Sequence, residues 1–376
     1  SRVDAGCSQT VPQRGTGGDE DRTSCFMNFA FDSIIAASDE ERLGLFTATA
    51  QRLGTTPRNA EKDFWVCWVL DALFNGRPAG EPRLLFKGGT SLSKGFGLIN
   101  RFSEDIDVTV FRDDIGEPAS IPDLEALSGK KRKVALKAIE DAGTAYVQGP
   151  LRETLLEIIG QTAERTNTTP DRFGLTVSDD DAQTLLLVYP AATPAHDYVQ
   201  AAVKIESGAK SALDPHATRI ILPYVDGDAP GIDLAVPNVL TVEAERTFWD
   251  KVIILHGLRR WHDRRDEVRG GGQRISRHYY DIHMMMTEGA GRFALEDPAL
   301  GADCVAHARM FFNRPDFDLA TAQSPTFALS PDGAMHDDLR RDYGLMRTMI
   351  FGEAPSFEEV LESVHELEQI LNGLGA

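Results

Sequence analysis

Apolar positions recur at helical spacing early in the chain: Leu43, Leu45, Phe46 and Ala50 form a stripe running toward Gly54, with Ser38 or Asp39 placed to cap it. A second helix is predicted from about Asn59 to Phe74. There Phe64, Trp65, Cys67, Trp68, Leu70 and Leu73 leave almost no polar face, so the element is expected to be deeply buried. The pattern then shortens. Arg83-Leu84-Leu85-Phe86 is a brief apolar run that stops at Gly88-Gly89 before the helix-like SLSKGF, which reads as strand, glycine turn and helix. Ile106, Val108 and Val110 alternate with Asp105, Asp107 and Thr109, the period of two of a strand with one buried and one polar face.

Residues 122–166 read as helical with a break near Gly149-Pro150, and Thr184–Tyr189, Tyr198–Glu206 and Arg219–Val225 read as successive strands, giving a sheet of about five. Beyond Thr241 the character changes to helical patterns at about 243–257, 275–287, 302–312, 336–349 and 356–372, parted by Gly- and Pro-rich loops. These patterns predict an α/β domain over residues 27–240 and a mainly helical domain over 241–376, without internal repeats. Residues 1–26 are polar and Gly-rich and lack the apolar segment of a signal peptide. They are expected to be a non-native or disordered leader ahead of a natural start at Met27.

Charge alters this picture. Lys plus Arg number 39 against 58 Asp plus Glu, and the net charge of −19 repels polyanions unless basic residues gather on one surface. Seven arginines fall in residues 259–277, and Lys130, Lys131, Arg132, Lys133 and Lys137 form a second run. A charge run is more often a solvated face than a binding surface. Cys7, Cys25, Cys67 and Cys304 show no C-x-x-C spacing, so neither a zinc knuckle nor a disulfide framework is expected, and a reducing cytoplasm fits. No run approaches the roughly 18 apolar residues of a membrane helix, so no membrane partner is expected.

Two features carry chemistry. At Gly88-Gly89 the backbone can pass close to a bound group, and the N–H groups of Thr90, Ser91 and Leu92 at a helix start favour an anion, although such a turn is often only a tight connection. Asp105 and Asp107 project from one strand face with about 6–7 Å between their Cα atoms. Like charges so close call for a counter-ion, and a divalent metal is the natural one. In Val203-Lys204-Ile205-Glu206 the alternation puts Lys204 and Glu206 on one face. Glu206 is therefore a third candidate metal ligand, with an exposed Lys and Glu pair on an edge strand as the rival reading. His256 and His278 read as packing or hydrogen-bonded residues, and Trp65, Trp68 and Trp249 as core.

Taken in order, EKDFWVCWVLDALF (61–74), KGGTSLSK (87–94), RFSEDID (101–107), ERTFWDKVIILH (245–256), RHYYDIHMM (277–285) and DYGLMRTMIFGEAPSFEEVL (342–361) resemble the AbiEii/AbiGii nucleotidyltransferase toxins of type IV toxin–antitoxin and abortive-infection systems, relatives of the mycobacterial MenT toxins. The resemblance implies an α/β (α+β) fold, a DNA polymerase β-like nucleotidyltransferase mixed sheet flanked by helices and followed by a helical domain. It places nucleotide binding on Gly88, Gly89, Thr90 and Ser91, with Lys87, Lys94 and Arg101 flanking. Mg²⁺ or Mn²⁺ would be held by Asp105 and Asp107, with Glu206 added from the strand pattern. Lys251 and Asp281 complete the site from the helical half. Lys251 shares a helix with the apolar stripe Phe248, Val252 and Leu255. Asp281 would orient Lys251 or act as a general base.

The activity so implied is transfer of a nucleoside monophosphate from a nucleoside triphosphate (NTP) to an acceptor hydroxyl, with RNA such as a tRNA 3′ end as acceptor. Arg259, Arg260, Arg264, Arg265 and Arg277 are the expected RNA contacts. A cognate antitoxin is the expected protein partner. The alternatives are a protein or small-molecule acceptor, or a toxin that binds NTP without transfer.

Overall fold

A computed structural model describes residues 27–194, 201–272 and 274–373. The expected leader with Cys7 and Cys25, and residues 198–200 of the expected fourth strand, lie outside the described residues. Helices α1 (Ala30–Ile35) and α2 (Asp39–Leu53) come first, with Ser38 and Glu41 forming a capping box at the start of α2. Thr56 caps α3 (Pro57–Phe74), which is buried along nearly its whole length. Strand β1 (Leu84–Lys87) leads directly into the short α4 (Gly88–Lys94) and then β2 (Asp105–Val110). Helices α5 (Ile121–Ala126), α6 (Gly129–Tyr146) and α7 (Arg152–Thr166) follow. The break expected at Gly149-Pro150 is a π-helical turn, Val147–Leu151, that joins α6 to α7. The N–H that proline lacks is absorbed by the wider turn rather than by a chain reversal.

The remaining strands are β3 (Gly174–Val177), β4 (Thr184–Val188), β5 (Ala202–Glu206), β6 (His216–Ile221) and β7 (Val236–Val242). Only helical elements follow among the described residues: α8 (Ala244–Arg265), α9 (Ser276–Thr287), α10 (Ala290–Leu295), α11 (Pro298–Phe311), α12 (Gly333–Met346), α13 (Phe357–Leu371) and short 3₁₀ turns.

Among the described residues the mixed sheet has seven strands, in the order β3-β4-β5-β2-β1-β7-β6, not about five. The two strands absent from the sequence reading are β3, four residues beginning at a glycine, and β7, which carries Pro237. Proline removes a ladder donor and masks a strand pattern. The expected Arg219–Val225 strand is displaced to His216–Ile221, because Pro223 leads into a 3₁₀ turn at Tyr224–Asp228.

Strand alternation sorts the sheet's two faces. Ile106, Val108, Val203 and Ile205 join Phe64, Trp65, Trp68 and Val69 of α3 in one core. Within it Trp65 stacks on Tyr189 at 5.2 Å and meets Phe173 edge-on at 5.8 Å. Asp105, Asp107, Lys204 and Glu206 are left for the opposite face. A second core gathers Phe248, Val252 and Leu255 of α8, Tyr279 and Met285 of α9, and Val360, Val364 and Leu367 of α13, together with Leu92 and Ile99 near α4. The helical half is thereby packed against the segment that follows β1.

Lys94, at the end of α4, is almost wholly buried. Its ammonium pairs with the equally buried Asp63 of α3, lies 3.6 Å from the centroid of the Tyr224 ring and donates to the Leu222 carbonyl at 3.0 Å. Burial would lower the Lys94 pKa, but the Asp63 carboxylate outweighs it and holds the amine charged. Replacing Lys94 alone by Met should strand a buried carboxylate and destabilise the fold by about 3–5 kcal/mol. Adding Asp63→Asn should recover most of that loss in urea unfolding; equal loss in the single and double variants would show that the pair does not anchor α4 on α3.

Candidate active site

Strand β2 pairs in parallel with β5, setting Asp105 beside Lys204 and Asp107 beside Glu206. On its other side β2 pairs with β1, and Lys87 stands opposite Asp107 with its Nζ 3.9 Å from Oδ1. The Lys204 ammonium reaches Glu206 at 2.5 Å. Burial raises the Asp105 and Asp107 carboxyls above their ordinary range. Lys87 opposes this at Asp107, while Glu206 adds to it at both positions. At Glu206 burial also acts upward, but its hydrogen bond with Lys204 wins and holds the group low. The face carries concentrated negative charge that the neighbouring lysines only partly offset, and its hard carboxylate oxygens suit a divalent cation such as Mg²⁺.

The glycine pair is shaped by what approaches it. Gly88 has φ of +80°, and a Cβ there would overlap the Asp107 carboxylate. A Cβ on Gly89 would lie 2.6 Å from Arg101 Nη2. Any side chain at either position would push away an acid of the sheet or the arginine behind it. The hydroxyls that follow turn inward. Thr90 Oγ1 donates to the Asp105 carbonyl at 2.5 Å, and Ser91 Oγ donates to the Gly88 carbonyl at 2.8 Å.

Asp281 on α9 has no exposed side-chain surface. Arg101 grips it bidentately, Nε to Oδ1 at 2.8 Å and Nη2 to Oδ2 at 2.9 Å, and Lys251 Nζ reaches Oδ2 at 2.8 Å. Burial alone would raise the Asp281 pKa, yet the two cations hold it well below the usual carboxylate range. The α8 stripe of Phe248, Val252 and Leu255 is fully buried, and it carries Lys251 inward with it.

These groups share one cavity of about 620 Å³. Lys87, Gly88, Gly89, Arg101, Asp105, Asp107, Glu206, Lys251 and Arg277 line it. Asp281 stands directly behind Arg101 and Lys251. One expected nucleotide contact is corrected by the structure: Lys94 is consumed by Asp63. The Thr90 and Ser91 side chains are buried and bonded to backbone carbonyls, so an anion contact there would fall to their backbone N–H groups, as expected of a helix start.

The expected arginine surface also divides. Arg259 is held by Asp263 and Asp332, Arg260 by Asp263, Arg264 by Asp318 and Arg265 by Asp316, and none of the four lines the cavity. Arg269, Arg274 and Arg277 do. The sequence reading placed Arg274 in the basic run but not in the site, where its guanidinium lies 3.7 Å from both Glu104 and Asp105. Its position in the run between the Lys251 and Asp281 motifs was the available signal. His278 also lines the cavity, and its buried Nδ1 has no hydrogen-bond partner among the described residues. Burial, aided by the charges of Lys251 and Arg277, keeps that ring neutral. His256 is hydrogen-bonded within the helical half and has no place in the cavity wall.

Among the described residues, the three potential ligands whose donor atoms lie within 4.8 Å of one another are His262, Asp263 and Asp332, not the sheet carboxylates. Arg259 already binds both of those aspartates, so a cation there would meet a fixed positive charge. The sheet acids are the better oxygen-donor set, although Glu206 is turned to Lys204. No helix among the described residues is long and apolar enough to cross a membrane.

No curated protein matches the chain. The solved structure of MenT4, a nucleotidyltransferase toxin of Mycobacterium tuberculosis H37Rv, is similar at 16% identity and a TM-score of 0.38, covering 88% of this chain and 99% of that one. A family model described as nucleotidyl transferase AbiEii toxin, type IV toxin–antitoxin system, matches residues 71–363. With that match running through both cores and every cavity-forming strand and helix, the chain belongs to the AbiEii family of nucleotidyltransferase toxins.

Proposed function

We propose that this nucleotidyltransferase moves a nucleoside monophosphate from an NTP to an acceptor hydroxyl on RNA, such as the 3′ end of a tRNA, in the cytoplasm and under the control of a cognate antitoxin. The carrying observation is the meeting, in one cavity, of Asp105, Asp107 and Glu206 from the sheet with Lys251 from the helices, held from behind by Asp281. On this reading residues 27–240 are the nucleotidyltransferase domain and 241–376 the helical domain, with the reaction at their junction.

Asp105, Asp107 and Glu206 would hold Mg²⁺ or Mn²⁺. When bound, the ion supplies activation of the acceptor hydroxyl and neutralisation of charge on the leaving oxygen. The acceptor oxygen forms a bond to the α-phosphorus, the α–β phosphoanhydride bond breaks, and pyrophosphate leaves while the hydroxyl proton passes to solvent. Lys87, Lys251 and Arg277 supply fixed positive charge to the phosphates. The backbone at Gly88 and Gly89 admits them closely. Asp281 is saturated by two cations, which leaves it unsuited to accept a proton. Its role here is to position Lys251 and Arg101.

The net charge of −19 and the neutralised Arg259, Arg260, Arg264 and Arg265 favour a second reading, in which the acceptor is a protein or small molecule. Incubating the protein with each labelled NTP, Mg²⁺ and total cellular RNA and protein separates the two. Label is expected on RNA; label on protein alone would overturn the RNA reading.

Asp105→Asn and Asp107→Asn should abolish transfer and growth arrest together. Toxicity that persists without transfer would point to action by NTP binding alone. Lys251→Met should lower kcat by about 10²–10³-fold. Asp281→Asn should lower kcat while leaving the shape of the pH–rate profile unchanged. Loss of the acidic limb in that variant would instead make Asp281 the general base.

A further inference from the structure

The cavity has a second, apolar end that the transfer chemistry does not use. Ile254 stands one turn beyond Lys251 on α8 and Leu258 one turn further, so the helix carries an apolar floor roughly 10 Å along from the charged end. Phe312, just past α11, also lines the cavity. Ile254 and Phe312 are 40% and 48% exposed, unusual for large apolar side chains lining one cavity. Gly257 lets Phe317 close over the floor, its ring atoms 3.2–3.5 Å from where a Cβ would stand.

Two arginines stand at the Phe317 side, Arg269 in the cavity wall and Arg314 outside it. Arg269 and Arg314 lie 5.2 and 6.0 Å from the centroid of the Phe317 ring. Arg259, Arg260, Arg264 and Arg265 are each held by an aspartate. Arg269 and Arg314, both exposed, have no carboxylate at ion-pair distance among the described residues. In a chain this acidic, two adjoining unneutralised guanidinium groups beyond an apolar floor are placed for an anion.

The order of these features identifies the occupant. A mononucleotide carries all its phosphates on one side of its base, and those belong at the Lys87 and Lys251 end. Phosphate at the opposite edge requires a chain that continues past the base. Resting on the transfer reading above, we propose that the floor formed by Ile254, Leu258 and Phe312 takes the unpaired terminal nucleoside of a single-stranded acceptor, with its preceding phosphate at Arg269 and Arg314. Unstacked bases bind apolar and aromatic surfaces while cations follow the backbone, and a duplex end keeps its base stacked and unavailable. The site thus selects acceptors with frayed or single-stranded ends.

The test is binding, measured by fluorescence anisotropy with the full chain, a labelled 12-nucleotide single-stranded RNA, and the same strand in a blunt duplex. NTP affinity is measured in parallel. Single strand is expected to bind at least tenfold tighter than duplex. Arg269→Glu with Arg314→Glu should weaken it tenfold or more and reduce the salt slope by about 1–2, with NTP affinity within twofold. Phe312→Ala should weaken it by about 5–100-fold, the range of one lost base stack. Arg264→Ala with Arg265→Ala, already neutralised by Asp316 and Asp318, should change it less than threefold. Single-strand binding unaltered by the Arg269/Arg314 and Phe312 changes, equal binding of duplex, or parallel loss of NTP affinity would each overturn the proposal. All substituted side chains are exposed, so unaltered thermal unfolding is expected. Failure of transfer to any RNA with this binding pattern intact would count against the transfer reading alone.

Discussion

The Asp281 carboxylate, buried without exposed surface between Arg101 and Lys251, is the interaction on which the site's geometry depends. A charge so enclosed is tolerable only with its partners in place, since removing one leaves an uncompensated ion in a low-dielectric interior. The three residues come from three places: Arg101 from the segment before β2, Lys251 from α8 and Asp281 from α9. One ion cluster therefore fixes the helical half against the strand that carries the acids. The backbone closes the same joint, with Phe102 N–H donating to the Met349 carbonyl at 2.7 Å and Arg101 bridging to Ile350.

From Arg101 the constraint passes to the glycine turn. Its Nη2 occupies space that a side chain on Gly89 would need, while the Asp107 carboxylate occupies the space beside Gly88. The two glycines thus serve the approach of a cation and an anion to the same loop, as well as any ligand that loop receives. This packing joins the helical clamp to the sheet acids through side-chain volume alone. It also explains why Thr90 and Ser91 fold inward: with the loop pressed between β2 and Arg101, their hydroxyls complete its own hydrogen bonds.

What was legible in the sequence is what local period controls. Alternation in 105–110 and 202–206 placed three carboxylates on one sheet face, and the all-round apolar run of α3 announced a buried helix. Strand β7 was hidden because Pro237 breaks the local signal although its neighbours β1 and β6 hold it in the sheet. The fates of the basic residues were not legible either. No spacing rule links Lys94 to Asp63, Arg264 to Asp318 or Arg101 to Asp281, because the chain returns to each partner only through tertiary packing. Charge counted along the sequence gave seven arginines between Arg259 and Arg277, while charge counted in space leaves three of them at the cavity.

That spatial count changes how the acidity of the chain bears on recognition. Exposed charges separated by more than about 8–10 Å are largely screened at physiological salt, so the net −19 governs distant encounter more than contact inside a cavity. Within it, Lys87, Lys251, Arg101, Arg274 and Arg277 stand at the end that holds the sheet acids. A bound cation at the acids would leave the local field positive toward phosphates even as the outer surface repels them. Selection then falls to whatever can thread into a cavity of about 620 Å³, which favours a small or single-stranded phosphate-bearing end over the broad face of a duplex.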